Sequence, residues 1–258
     1  MTRFIFMLFA MFLQLFADDT CKEFPQSRTD FGSAQFQQDQ FVSTLVPVIL
    51  LENERILKDR NYAMDFFDKY DQNVLEKKIS RADFNKIITT ARRYRISDPF
   101  SKKEYDEKID VVPISLALSQ AALESNWGES RVARKANNIF GQKTFAVNKR
   151  MLKSLGGSVN YAVFDGYIDA VKSYMLNLNS HEAYGEFRSK RAMAKMDNKI
   201  YSGMSAARTL KNYSEIGKEY TYKLTDLIQN RFKSFDDIKG QYSKSGFKTK
   251  ILDSSIRM

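Results

Sequence analysis

The chain has 258 residues, 43% of them hydrophobic, and a formal net charge of +10. It is long enough to bury a core, as one large domain or a domain with an extension. A single cysteine excludes an internal disulfide, and a single histidine excludes a metal site built on a histidine cluster.

The first 17 residues read as a secretory signal. Arg3 supplies the positive start, Phe4 to Phe16 is apolar except for Gln14, and Ala17 precedes Asp18-Asp19. The apolar run is short of the roughly 20 residues of a membrane span, with an uncleaved anchor as the alternative reading. Residues 18–40 are polar and Gln-rich and are expected to form a loose leader, in which Cys21 is a free thiol. Residues 41–108 read as a helical accessory region. Phe41 to Leu51 is a buried helix segment, Leu50, Leu51, Glu54, Ile56 and Leu57 open a charged amphipathic helix, and Ser80 or Asp83 begins another. Ser97-Asp98-Pro99 punctuates the chain. The acidic residues of this region read as solvated faces.

A main domain is expected over residues 109–238. Ile114, Ala117, Leu118, Ala121 and Ala122 recur at the spacing of a helix facing a core. Pro113 suits the helix start, and Ser125-Asn126 with Gly128 suits its stop, which puts Glu124 in the last turn beside the only tryptophan, Trp127. The helix dipole and desolvation by Trp127 would both raise the pKa of Glu124, the condition for a proton donor near neutral pH. A solvated surface glutamate is the competing reading. After a short helix from Arg131, alternation around Gly156-Gly157 predicts a small β-hairpin beside a cleft. Asp165-Gly166 opens a helix from Tyr167 to about Asn179, and further helices are expected near 182–195, 203–212 and 214–232. Residues 239–258 read as a disordered basic tail.

Charge is unevenly placed. Residues 18–108 hold 16 Lys or Arg against 17 Asp or Glu, whereas residues 109–258 hold 24 against 14. The half that carries Glu124 therefore carries the positive field, which for an exported protein suits anionic envelope surfaces and wall polymers. No nucleic-acid recognition motif accompanies the charge, and no nucleic-acid partner is expected. HExxH, CxxC and GxSxG motifs are absent, and Leu155-Gly156-Gly157-Ser158 lacks the lysine of a phosphate loop. No cofactor or metal is expected, and carboxylate chemistry remains, of which glycoside hydrolysis is the commonest use.

The run Ala117-Leu-Ser-Gln-Ala-Ala-Leu-Glu124-Ser-Asn-Trp127-Gly128-Glu-Ser-Arg131, followed by Ala136-Asn137-Asn138-Ile-Phe140-Gly141, resembles the signature of the glucosaminidases of glycoside hydrolase family 73, which act on peptidoglycan. Leu45-Val-Pro47 through Leu57, Ile109 to Pro113, Tyr174 to Tyr184 and Tyr213 to Tyr220 resemble the Bax-like branch of that family. The resemblance implies an α+β, mostly α, lysozyme-like fold with a small β-hairpin lobe, and cleavage of the β-1,4 bond after N-acetylglucosamine in peptidoglycan glycan strands. It places the general acid on Glu124 and a cleft tyrosine on Tyr184, for which a core aromatic is the competing reading. Asn138, Phe140 and Gly141 match the cleft floor, and Trp127 would order the acid's pocket.

One departure stands out. The family often has a second carboxylate in the β lobe, yet no Asp or Glu lies between Arg131 and Phe164. Three readings stay open: the substrate's acetamido group as nucleophile, a water held by Tyr184 and polar groups, or Asp165 at the hairpin's exit. Capping of the following helix competes for Asp165. A wall-binding protein with little turnover, and an N-acetylmuramidase, are the alternative functions.

Overall fold

In a computed structural model, residues 34–70, 79–145, 150–210 and 218–236 are described. The expected signal segment and basic tail lie outside them, as does most of the leader. The fold is mostly helical with one two-stranded antiparallel hairpin, the expected class. In chain order the helices are α1 (Ala34–Tyr70), α2 (Arg81–Arg93), α3 (Lys102–Lys108), α4 (Ile114–Ser125) and α5 (Arg131–Ala136). Strands β1 (Met151–Lys153) and β2 (Asn160–Ala162) follow, paired in the register Met151 with Ala162 and Lys153 with Asn160. Then come α6 (Tyr167–Ser180), a 3-10 turn (Glu182–Tyr184), α7 (Gly185–Met196), α8 (Gly203–Ala207) and α9 (Lys218–Leu227), which runs into a π-helical turn, Ile228–Phe232.

Helix α1 starts earlier than expected. It begins at Ala34, inside the segment read as a loose leader, because Gln35 bonds Asp39 one turn on and Arg231 reaches the same Asp39 at 3.0 Å. It also runs unbroken through Pro47 for 37 residues. Proline costs the bond to the carbonyl four residues back, but Pro47 and Ser43 both face solvent, where water can satisfy the freed group. The opposite side of α1 buries Phe41, Leu45, Ile49 and Ile56 against α4 and α6, so these residues belong to the same hydrophobic cluster as the central helix. Among the described residues no helix is long and apolar enough to cross a membrane.

That central helix is α4. The sequence suggests one apolar face, but Ile114 through Ala122 is buried on every side, Ser115, Ser119 and Gln120 included. A helix buried all round needs its entry fixed. The segment Ile109 to Pro113 supplies this through buried backbone groups with side-chain partners. Asn53 of α1 exchanges two bonds with Val112, each 2.9 Å; Asn179 donates to the Asp110 carbonyl; Arg191 donates to the carbonyls of Asp110 and Val111. Burial lowers the pKa of Arg191 to about 10, opposed by the Asp110 carboxylate beside it. At the other side of α4, Gly203 opens α8 so close to Ser115 that an added β-carbon would lie 1.9 Å from the Ser115 hydroxyl.

Candidate active site

Helix α4 ends one residue past Glu124. Asn126, Trp127 and Gly128 then take three consecutive left-handed conformations, with φ of 50°, 58° and 84°. The Trp127 amide bonds back to the Ala122 carbonyl at 2.9 Å, and the Ser125 hydroxyl accepts from Gly128. The left-handed region costs a non-glycine residue roughly 1–2 kcal/mol. Trp127 is held in it by its ring, which meets Phe41 edge-on at 5.7 Å, lies 6.0 Å from Phe232, and carries the Arg231 guanidinium over its face at 4.9 Å. The expectation that Trp127 orders the acid's pocket thus takes a particular form. The ring ties the turn after Glu124 to α1 and to the C-terminal π-turn.

The Glu124 carboxyl is raised above the ordinary carboxylate range, and burial is the leading cause. A hydrogen bond from Tyr220 opposes it by favouring the ionised form. Tyr220 is the partner of Glu124 that sequence reasoning missed. It lies on α9, and its only trace in the sequence was membership of a segment resembling the family. The Tyr220 oxygen accepts from Gln120 Nε2 at 2.9 Å, and Gln120 Oε1 accepts from the Tyr174 hydroxyl at 2.6 Å. Tyr174, Gln120, Tyr220 and Glu124 therefore form one hydrogen-bonded chain from the core to the acid. The pKa of Tyr220 and of Tyr174 is pushed up, by burial first and then by neighbouring groups that include Glu124.

The predicted cleft-floor residues meet this chain from the other side. Gly141 lies against the acid: a β-carbon added there would sit 3.5 Å from Glu124 Oε2. Phe140 stacks on Tyr174, ring centroids 3.9 Å apart and planes 1° from parallel. Asn138 is buried and staples the lobe, donating to the carbonyls of Gln142 and Ala162 and accepting from the Gln142 amide. Tyr184 is buried in the hydrophobic cluster, and its raised pKa comes from that burial and from Glu124, opposed by a bond with Asn177. It is thus both a core aromatic and an electrostatic neighbour of the acid.

Asp165 is not brought to this group. Its side chain is 75% exposed and pairs with Arg150. Nor does it cap α6 as expected: Gly166 is the N-cap residue, in extended backbone with no side-chain cap bond. The basic α5 and hairpin lobe presents Arg134, Lys135, Lys143, Arg150 and Lys153 as exposed side chains, with Arg134 paired to Glu129. Among the described residues no cluster of three potential metal ligands occurs.

A family profile described as glucosaminidase, mannosyl-glycoprotein endo-beta-N-acetylglucosaminidase, matches residues 100–233, more than half of the chain. The chain belongs to the glucosaminidase family. This glucosaminidase is 29% identical over 205 residues to Protein bax of Escherichia coli, covering 78% of this chain and 72% of that protein. It is 57% identical to Exo-glucosaminidase LytG of Bacillus subtilis over 37 residues, which make up 14% of this chain and 13% of the relative. Among solved structures it is similar to the catalytic domain of the autolysin Auto from Listeria monocytogenes. There the identity is 19% and the TM-score 0.40, covering 80% of this chain and 90% of the other. As a glucosaminidase it is a glycoside hydrolase, and the matched residues contain every member of the group around Glu124.

Proposed function

We propose that this glucosaminidase is exported to the cell envelope and hydrolyses the β-1,4 bond after N-acetylglucosamine in peptidoglycan glycan strands, with Glu124 as general acid. The observation that carries the reading is the setting of Glu124: a carboxyl raised by burial, beside the small Gly141, with Tyr220 behind it. The acid form gives its proton to the glycosidic oxygen as the bond to the anomeric carbon breaks, and the carboxylate left behind takes a proton from the water that completes hydrolysis. Tyr184 flanks this event and helps position the sugar. The substrate's acetamido oxygen acts as nucleophile at the anomeric carbon. In support, no carboxylate lies between Arg131 and Phe164, and Asp165 is turned to Arg150 and solvent. The exposed cations of the lobe draw the anionic wall toward the cleft.

The test is digestion of purified sacculi by the wild type and by Glu124→Gln. Soluble fragments ending in reducing N-acetylglucosamine should appear with the wild type only. Equal release by both proteins removes Glu124 from the mechanism. No release by either indicates a wall-binding role, and reducing N-acetylmuramic acid ends would make the enzyme a muramidase.

A further inference from the structure

The hydrogen-bonded chain behind Glu124 has a direction, and the direction carries a consequence. A tyrosine hydroxyl has one proton to give and accepts in the plane of its ring. At Tyr220 the acceptor side is occupied by Gln120 Nε2 at 2.9 Å. Gln120 is turned that way round because its Oε1 takes the Tyr174 hydroxyl proton at 2.6 Å. The Tyr174 ring is in turn fixed by the parallel stack with Phe140. All of these side chains are buried. The Tyr220 proton therefore goes to Glu124, and the Tyr220 oxygen is closed to a proton coming back.

We infer that Gln120 is a positioning residue of the acid: by occupying the Tyr220 oxygen it makes Tyr220 a donor only, so the Glu124 proton is left for the substrate. The inference rests on the proposed role of Glu124 and adds the reason for a fully buried glutamine one helical turn before it. With the Tyr220 oxygen free, protonated Glu124 would donate to it, and the proton would be held behind the cleft. Besides Tyr220, the titratable groups acting on Glu124 among the described residues are Tyr174 and Tyr184, whose own ionisation lies far above the working range.

The test is a double-mutant cycle between Gln120→Met and Tyr220→Phe, read by pH profiles on sacculi fragments. Gln120→Met keeps the volume and removes both bonds. It should lower the kcat plateau about 10-fold with KM unchanged, and move the basic limb of the profile up by about one pH unit. Tyr220→Phe should move the limb similarly with a smaller plateau loss. In the double variant Gln120→Met should add nothing, and the plateau should return to that of Tyr220→Phe, because no oxygen remains to capture the proton. Additive losses overturn the inference, as does a folded Gln120→Met enzyme with the wild-type plateau and limb. If Gln120→Met does not fold, Tyr174→Phe serves. It frees the Gln120 amide to turn over, and the same limb shift is expected; an unmoved limb overturns the inference. Titration of the Glu124 carboxyl carbon by NMR, assigned with Glu124→Gln, reads the same shifts without substrate. An inactive wild type would thus sink the proposed reaction while leaving the relay testable.

Discussion

Replacing Gly141 by alanine separates the backbone demands of the cleft floor from its contact with the acid. Gly141 has φ of 61°, so any side chain there meets the left-handed cost of about 1 kcal/mol relative to glycine. Gly157 at the hairpin tip has φ of 71° with nothing within 4 Å of an added β-carbon, and so provides the matched control. Both alanine variants should lose about 1 kcal/mol, which for a domain of this size is a fall in Tm of roughly 2–4 °C. Only Gly141→Ala sets a methyl 3.5 Å from Glu124 Oε2. That is an ordinary van der Waals distance, so the fold need not shift. The methyl nevertheless occupies space beside the oxygen that the proposed mechanism brings to the glycosidic oxygen, and it takes more water from a carboxyl already raised by burial. Displacement of a reacting group by about 1 Å costs on the order of 100-fold in rate. Fragment release from sacculi should therefore fall about 100-fold in Gly141→Ala and by less than about 2-fold in Gly157→Ala, at matched Tm. If the two variants are equally active, Glu124 Oε2 is not the oxygen presented to the substrate, and the reading of this face as the cleft is wrong.

Three further outcomes are expected. Glu124 has a folded pKa above its unfolded one, so the stability it contributes is complete below the unfolded value and is lost as pH rises through the folded value. Glu124→Gln should thus be more stable than wild type at neutral pH and no more stable near pH 4, where denaturant midpoints would converge; a constant difference across pH would contradict this. Gly203→Ala would drive a β-carbon to 1.9 Å from the Ser115 hydroxyl, which donates to Asp236, and to 2.8 Å from the Leu116 amide. A loss above about 3 kcal/mol is expected, and a normal thermal melt would show that α8 is not seated on α4 as described. Finally, activity on sacculi should decline with added salt as the exposed cations of the lobe are screened, and a flat salt response would remove charge from substrate capture.

Much of α4 could be read in advance, because its signals are local: Pro113 before the helix, small and branched apolar residues along it, Gly128 after it. The hairpin was legible for the same reason, with a glycine pair between alternating residues. What escaped notice acts across the fold. Tyr220 lies far along the chain from Glu124, and nothing in its own neighbours shows which carboxyl it meets. Asp165 looked like a cap by its place before α6, but the adjacent lobe supplies Arg150, and an ion pair won over capping. Trp127 stood beside Glu124 in the sequence, but that its ring would meet Phe41 and Phe232 could not be read there.

The left-handed turn after Glu124 has a consequence for how activity is acquired. Asn126 and above all Trp127 resist their conformations unless Phe41 and Phe232 grip the Trp127 ring, and the Tyr220 that bonds Glu124 arrives with the same C-terminal segment. Local helix formation can therefore put Glu124 on α4 early, while the arrangement proposed to act with it waits for two loop closures that span most of the chain. A refolding chain would regain its helical signal before the arrangement around Glu124, so a partly folded molecule would carry the carboxyl without the partners that tune it.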